Sequence, residues 1–439
     1  MRSSGWRGLL AAILVGMAGA GHAEDAREET LGAKFQATYV WQRKYPFGAA
    51  YSGPNSLSAD LEKSYSFTAT AALGARVWNG GEVYFDPEVA QGVPLSHLTG
   101  LGGFSNGEIA RTSGPTASFY AARAFLRQTW GLGGEREQVE SDANQLAGSV
   151  ERRRLVLTAG KLSILDIFDD NAYSHDPRTQ FLNWSLMTYG AYDFAADARG
   201  YSWGLALEYF DDAWALRAGR FTMPKQSNGL ALNPRIFESF GDQIELEHSH
   251  MLGGQAGKLR LLAYRNQADM GGYRDAIADA SASGAAPDLA TSRKKRVKYG
   301  VGINLEQSVS SSVGVFARAS WNNGEAETFA FTEIDRSLSA GVLIKGAGWN
   351  RPADSVGVAL VKNDLSAAHR DYLAAGGLGF FLGDGQLSYR SEGILETYYS
   401  IGVAKDVWLS ADFQRIFNPG YNADRGPVSV ISGRFHYGF

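Results

Sequence analysis

The feature that most constrains the fold of this chain is a two-residue alternation of side-chain character that recurs from residue 31 onward. In residues 64–74, aromatic and aliphatic side chains share one face, while serine, threonine and other small residues share the second. Residues 297–306 follow the same rule without exception, and residues 431–439 continue it to the C terminus. A period of two is that of a β-strand whose two faces meet different surroundings. The sequence therefore predicts an all-β fold.

Sixteen segments carry this alternation. They lie at residues 31–41, 64–77, 81–90, 117–129, 152–161, 203–210, 213–222, 241–250, 257–267, 297–306, 312–321, 337–346, 355–362, 389–403, 407–417 and 428–438. An even number of antiparallel strands can close into a barrel, which leaves no unpaired strand edge in lipid. We therefore predict a transmembrane antiparallel β-barrel of about 16 strands, located in a bacterial outer membrane.

The lengths of the connections support this prediction, because outer-membrane barrels alternate short periplasmic turns with long extracellular loops. The short connections are at residues 79–81, 211–212, 306–311 and 404–406. The long connections are at residues 42–63, 91–116, 162–202, 268–296 and 363–388. Residues 130–151 break the rhythm, since they are long where a short periplasmic turn is expected. A short helix is one interpretation of that insertion.

The N-terminal residues predict export from the cytoplasm. Arg2 and Arg7 precede an apolar run at residues 8–18 that ends in small residues. This arrangement is typical of a signal peptide, and the run is too short to span a bilayer. We expect residues 1–23 to be cleaved, with cleavage after Ala20 as the alternative, and residues 24–439 to form one barrel domain. No later segment has about 18 consecutive apolar residues, which excludes transmembrane helices.

Charge and cysteine content exclude several other classes of protein. Lysine and arginine number 42 against 46 acidic residues, and a mildly acidic chain is a poor binder of nucleic acid. Cysteine is absent, so the stability of an exported chain must come from backbone pairing or from a core. Nothing in the sequence predicts a cofactor.

Charged side chains on the predicted inner faces of the strands point to a water-filled interior. A small closed interior would penalise them, whereas a barrel of about sixteen strands encloses water. Guanidinium and carboxylate groups bond sugar hydroxyls, aromatic faces pack on sugar rings, and long loops can bring more such groups inward. The candidate pore-lining or substrate-contact residues are Arg76, Glu82, Glu88, Asn106, Glu108, Arg111, Arg123, Arg127, Asp169, Asn171, Arg178, Trp184, Glu208, Arg217, Glu392, Glu396, Asp412, Gln414 and Arg434.

Three short motifs could indicate other chemistry. Residues 103–107 spell G-x-S-x-G, but a nucleophile elbow needs a buried strand before it and a helix after it, and here it lies in a glycine-rich loop. His248 and His250 have no third ligand nearby, so no metal site is predicted. The basic run at residues 293–296 is best interpreted as solvated or facing lipopolysaccharide. No catalytic residue is predicted.

The C-terminal third resembles a known family. Residues 392–399 read EGILETYY, and residues 412–420 read DFQRIFNPG. These segments resemble the carbohydrate-selective porin family. The ending, residues 425–428 and 434–439, resembles that family's final strand, and residues 349–357 resemble an earlier one. Weaker similarities lie upstream, at residues 166–171 and 176–184. The resemblance implies a sixteen-stranded barrel for passive, substrate-favouring diffusion of monosaccharides such as glucose.

Other functions stay open at this stage. A general or anion-selective porin is the alternative within transport. An outer-membrane hydrolase and an exported β-protein that binds glycans are less favoured. Expected partners are small sugars, outer-membrane lipids and lipopolysaccharide, and the outer-membrane assembly machinery, which would recognise the terminal Phe439. Nucleic acid is not expected, and association into a homo-oligomer is left open.

Overall fold

A computed structural model describes residues 28–439, and these residues form a closed antiparallel barrel of sixteen strands plus a separate two-stranded hairpin. The barrel strands are β1 (Leu31–Lys44), β2 (Glu62–Trp78), β3 (Gly81–Val93), β4 (Ser118–Gly131), β7 (Arg154–Leu162), β8 (Ser202–Asp211), β9 (Trp214–Thr222), β10 (Phe240–Leu252), β11 (Gln255–Met270), β12 (Lys294–Ser308), β13 (Val313–Asn322), β14 (Arg336–Lys345), β15 (Ser355–Asp364), β16 (Glu392–Ala404), β17 (Val407–Phe417) and β18 (Val428–Gly438). Every predicted strand is present, which confirms the predicted fold class. The predicted signal peptide, residues 1–23, lies outside the described residues.

Pairing between the first and last strands closes the sheet. Gln36 of β1 lies opposite Gly438 of β18, and Lys44 lies opposite Val430. Every other barrel strand pairs antiparallel with its two neighbours, so the backbone donors and acceptors are satisfied all the way round. Within residues 28–439, no helix is long and apolar enough to cross a membrane.

The connections differ in length at the two ends of the barrel. At the end that we call the turn end, β10 and β11 are joined by Gly253 and Gly254 alone. Both glycines have positive φ, +58° and +78°, as a two-residue hairpin requires. At the opposite, loop end, eight loops connect the described strands. In chain order they are residues 45–61, 94–117, 163–201, 223–239, 271–293, 323–335, 365–391 and 418–427. This alternation confirms the predicted rhythm.

The outer surface of the barrel is apolar. On β12, Val301 and Ile303 are each 51% exposed, whereas Lys298 and Asn304 on the inner face are fully buried. Such an arrangement is the reverse of that in a soluble protein and matches a surface that lipid covers. Exposed aromatic residues lie towards the strand ends. They include Trp41, Trp203, Tyr209, Trp214, Tyr299 and Trp321.

The inside of the barrel is largely filled by its own loops. The third loop, residues 163–201, contains helix α1 (Trp184–Met187), and its buried aromatic residues pack against the wall. Gly302 of β12 allows this close approach, because a Cβ there would lie 2.7 Å from the ring of Tyr189. Helices α2 (Tyr273–Ser283) and α3 (Ala367–Ala374) lie in the fifth and seventh loops. The hydrophobic core is therefore inside the barrel and made mainly by loops.

The connection between β4 and β7 is the exception at the turn end. Residues 132–153, which we call the arm, contain a hairpin of β5 (Arg136–Val139) and β6 (Gly148–Glu151). The interpretation of this insertion as a short helix is therefore wrong. Two glycines with positive φ, Gly133 and Gly134, turn the chain between β4 and the hairpin.

Candidate functional site

Two cavities lie inside the barrel, one towards each end. The loop-end vestibule has a volume of about 350 Å³ and the turn-end vestibule a volume of about 970 Å³. Some residues line both vestibules, and these mark the place where the two cavities meet, which we call the neck. The neck residues are Arg123, Asp166, His175, Asp176 and Arg178.

The neck is built from one strand and one loop. Arg123 belongs to β4, and Asp166 ends a short 3₁₀ turn that follows β7. The remaining three neck residues come from the third loop, where it crosses the lumen. The carboxylate of Asp176 accepts a hydrogen bond from Arg178 N, at 3.0 Å, in a tight local turn. The position of the neck therefore depends on how the third loop folds against the wall.

Arg178 lies between two carboxylates of the loop-end vestibule. Its Nε donates to Glu108 Oε1 at 2.5 Å, and its Nη2 lies 3.4 Å from Glu88 Oε2. Burial alone would lower the pKa of Arg178, but Glu108 and Glu88 outweigh that effect and raise it above its ordinary value. Arg178 is therefore charged at all ordinary pH values, and its side chain keeps 25% of its surface exposed.

Arg123 forms the opposite side of the neck. Its Nε and Nη2 donate to the two carboxylate oxygens of Asp166, at 2.7 and 2.6 Å. Its Nη1 also lies 3.4 Å from Asp86 Oδ2. This bidentate geometry fixes the plane of the guanidinium, and 15% of the side chain remains exposed.

Aromatic side chains accompany these charges. Tyr120 and Tyr201 both donate through their hydroxyls to Glu88 Oε1, at 2.5 and 3.3 Å. Arg123 lies 5.4 Å from the centroid of the Tyr201 ring. The passage is thus lined by fixed donors, fixed acceptors and ring faces, which are the groups that bind the hydroxyls and the C–H faces of a polyol.

The predicted contact residues divide into two groups. The vestibules are lined by Arg76, Glu82, Glu88, Glu108, Arg111, Arg123, Arg127, Arg178, Trp184 and Glu208. Neither vestibule is lined by Asn106, Asp169, Asn171, Arg217, Glu392, Glu396, Asp412, Gln414 or Arg434.

Members of the second group mostly hold the loops inside the barrel. Glu392 accepts backbone hydrogen bonds from Gly102, Gly103 and Gly420 at 2.8 to 3.1 Å. Asp169 is fully buried, and its carboxylate pairs with Arg318 at 3.0 Å. The expectation that inward charges on strands remain in water is therefore wrong for Glu392, because the loops occupy the space that would hydrate it.

Sequence reasoning did not select several residues of the site. Asp166, His175 and Tyr201 belong to the third loop, and no pattern indicates which of its polar residues line the vestibules. Tyr120 was missed for a different reason, since its position in the alternation is opposite to that of Arg123. A β-bulge in β4, opposite Asp86 and Pro87, shifts the register and turns both side chains inward. Pro87, on the neighbouring strand, is the feature of the sequence that could have indicated this bulge.

The three motifs that could indicate other chemistry have structural roles. Ser105 donates to Gln42 Oε1 at 3.1 Å, and its carbonyl accepts from Gln414, so the G-x-S-x-G segment is a loop anchor. His248 packs on Trp214 with 4.2 Å between ring centroids. In the basic run, Arg293 pairs with Glu327 at 3.0 Å. Residues 28–439 contain no group of three or more His, Asp or Glu side chains placed to hold a metal ion.

Comparison with known proteins gives a family and a fold. The family model of the carbohydrate-selective porins, OprB family, matches residues 57–439, a range that includes the neck. The high-pH structure of OprB from Pseudomonas putida has a TM-score of 0.72 at 16% identity, covering 93% of this chain and 94% of that chain. Its low-pH structure has a TM-score of 0.50 at 14% identity, covering 93% of each chain. The outer-membrane channel DcaP of Acinetobacter baumannii has a TM-score of 0.50 at 10% identity, covering 93% of this chain and 97% of that chain. No curated protein sequence matches the chain.

Proposed function

Since the chain belongs to the OprB family of carbohydrate-selective porins, and is an outer-membrane channel rather than an enzyme, we propose that its neck selects small monosaccharides such as glucose. The turn end faces the periplasm and the loop end faces the exterior, as in other outer-membrane barrels. Sugar entering from outside meets the loop-end vestibule first, then the neck, and then the wider turn-end vestibule.

The observation that carries this proposal is the pairing of each neck arginine with a carboxylate. Arg178 contacts Glu108 and Arg123 contacts Asp166, so neither arginine offers an isolated positive charge to an anion. Both arginine side chains nevertheless keep part of their surface exposed. A neutral polyol can use donors and acceptors side by side, whereas an anion gains little from a charge that is already paired. This pattern favours sugar over the anion-selective alternative.

The proposal predicts that Arg178→Gln weakens sugar binding in the channel. A hydrogen bond to a charged group contributes about 1.5–3 kcal/mol, so we expect the concentration of glucose that halves the current to rise about tenfold or more. The measurement is the glucose-dependent block of current through single channels in planar bilayers.

The matched control is Arg336→Gln, which removes the same charge from an exposed position at the loop end of β14, outside both vestibules. Its glucose block should equal that of the unaltered channel. Equal block in Arg178→Gln would remove Arg178 from the site. If small anions reduce the current of the unaltered channel and no sugar does, the anion-selective alternative replaces the proposal.

For partners other than sugars, we propose that the assembly machinery recognises the C-terminal strand. Phe439 and Phe35 exchange backbone hydrogen bonds at 3.0 and 3.1 Å, and their rings lie 6.1 Å apart. Deleting Phe439 should reduce the fraction of heat-modifiable, folded barrel in outer-membrane fractions. Contacts with outer-membrane lipids and lipopolysaccharide stay predictions.

A further inference from the structure

The tip of the arm, residues 140–147, enters the barrel from the turn end. Residues 141–146 line the turn-end vestibule together with the barrel wall. Arg127 Nη1 donates to the carbonyl of Asn144 at 2.8 Å, and Asn144 Nδ2 donates to Asp86 Oδ2 at 2.8 Å. The tip therefore borders the cavity that a solute enters on leaving the neck.

The wall is shaped to receive the tip. Leu146 is only 4% exposed, and its backbone N–H points to the hydroxyl of Tyr84 at 3.3 Å. Gly32 faces this side chain, and a Cβ there would lie 2.7 Å from Leu146 Cδ2. A Cβ at Gly74 would lie 2.7 Å from the ring of Tyr84. The two adjacent glycines thus leave the space that the side chains of Leu146 and Tyr84 fill. Such close packing is expected of a segment that is fixed against the wall, not of a mobile loop.

The tip is also held at its base and within its own turn. Glu29 N donates to Ala147 O at 2.9 Å, and Ala147 N donates to Glu29 Oε2 at 2.8 Å. Asp142 and Gln145 exchange both backbone hydrogen bonds across the turn, at 3.0 and 3.1 Å. These contacts fix the tip in one position relative to the strands.

One hydrogen-bond chain joins the tip to the neck. Asp86 Oδ2 accepts from Asn144 and also lies 3.4 Å from Arg123 Nη1. We propose that the arm tip is a second restriction of the channel, on the periplasmic side of the neck, which limits the size of the sugar that leaves and helps to position Arg123. This inference goes beyond the choice of sugar at the neck, because it concerns passage through the exit.

The absence of cysteine from the chain allows a direct test. Ala143 is exposed at the tip and lines the turn-end vestibule. In Ala143→Cys channels, a charged, membrane-impermeant methanethiosulfonate reagent added on the periplasmic side should cause a stepwise loss of open-channel current. Gln138→Cys is the matched control, since Gln138 is exposed on β5 and lies outside the vestibule lining. Its modification should leave the current unchanged.

Mass spectrometry of the labelled protein confirms modification in both variants. Unchanged current in fully labelled Ala143→Cys would overturn the proposal. Equal current loss in both variants would overturn it too, because the loss would then not depend on whether the labelled residue lines the vestibule.

A second experiment tests size selection. Replacing residues 140–147 by two glycines should raise the rate of liposome swelling in a disaccharide relative to that in glucose. Heat-modifiable mobility on gels verifies that the variant is folded. An unchanged ratio of the two swelling rates in folded protein would contradict the proposal. This experiment tests only the role of the arm tip. The glucose block of Arg178→Gln tests sugar binding at the neck separately, so one proposal can be contradicted without the other.

Discussion

Single buried carboxylates connect the strands of this barrel to the loops inside it. Glu392 on β16 accepts three backbone hydrogen bonds, two from the second loop and one from the eighth. Glu396, four residues further along on the same face of β16, accepts at 3.0 Å from Asn183 N in the third loop. Each carboxylate satisfies donors that would otherwise be buried without partners. These residues shape the passage without lining it.

We predict that Glu392→Ala loosens the second and eighth loops. Three buried N–H groups lose their acceptor, so the free energy of unfolding should fall by at least about 3 kcal/mol. Urea-induced unfolding in detergent micelles measures this change, and limited proteolysis within residues 94–117 should become faster. Glu325→Ala, which removes an exposed carboxylate at the loop end, should alter neither measurement. Equal stability of the two variants would show that Glu392 is not an anchor.

At the scale of elements, the loops at the loop end are joined by a buried ionic contact. His369 of α3 lies 3.0 Å from Asp335 Oδ2 through Nδ1 and 3.5 Å from Glu333 Oε1 through Nε2. The ring of Tyr273 from α2 stacks on His369 with 4.3 Å between centroids. Burial alone would lower the pKa of His369, but the two carboxylates outweigh it and raise the pKa to about 9.

The raised pKa predicts a pH dependence of the seventh loop. Because the folded pKa lies above the ordinary value of 6.5, the contribution of His369 is complete below about pH 6.5 and is lost as the pH rises through about 9. Hydrogen exchange in residues 365–391 should therefore lose protection between about pH 7 and pH 10, after correction for the intrinsic rate. His369→Gln should abolish this change, whereas replacing exposed His97 by Gln should preserve it. Identical pH profiles in the two variants would contradict the prediction.

The bulge in β4 is the other element that decides the site. In a regular strand Tyr120 and Arg123 would face opposite sides of the sheet. The register shifts opposite Asp86 and Pro87, so that Arg123 pairs with Asp86 and Ala121 with Pro87. Ala122 is left as the extra residue, and Tyr120 and Arg123 both reach the lumen. One irregular position thus turns an aromatic ring and a cation of the neck into the same vestibule.

At the scale of the whole molecule, the apolar belt holds the barrel in lipid. We predict that Val301→Arg, which places a charge near the middle of the outer face of β12, lowers the free energy of unfolding by about 2–4 kcal/mol. Ser311→Arg, in the turn between β12 and β13, should cost at most about 1 kcal/mol because the side chain stays in water. Denaturant unfolding of both variants in liposomes gives the comparison. Equal losses would mean that β12 does not face lipid.

The sequence by itself determined the architecture of the barrel, because strand alternation and turn length are local properties. All sixteen strands, the two ends and the apolar outer face could be read from segments such as residues 297–306. The family resemblance in residues 392–399 and 412–420 also pointed to carbohydrate. These inferences needed no knowledge of which distant residues meet.

Only the tertiary structure decided which inward residues line the passage and which hold loops. Glu88 and Glu392 look alike in the sequence, since both are inward glutamates on strands. The structure places Glu88 at the loop-end vestibule and buries Glu392 beneath the backbone of two loops. The arm has no periodic signal that reveals its insertion, because its seat is formed by Gly32, Gly74 and Tyr84 on other strands. Loop packing inside a barrel depends on contacts between residues far apart in the chain, and local alternation carries no information about them.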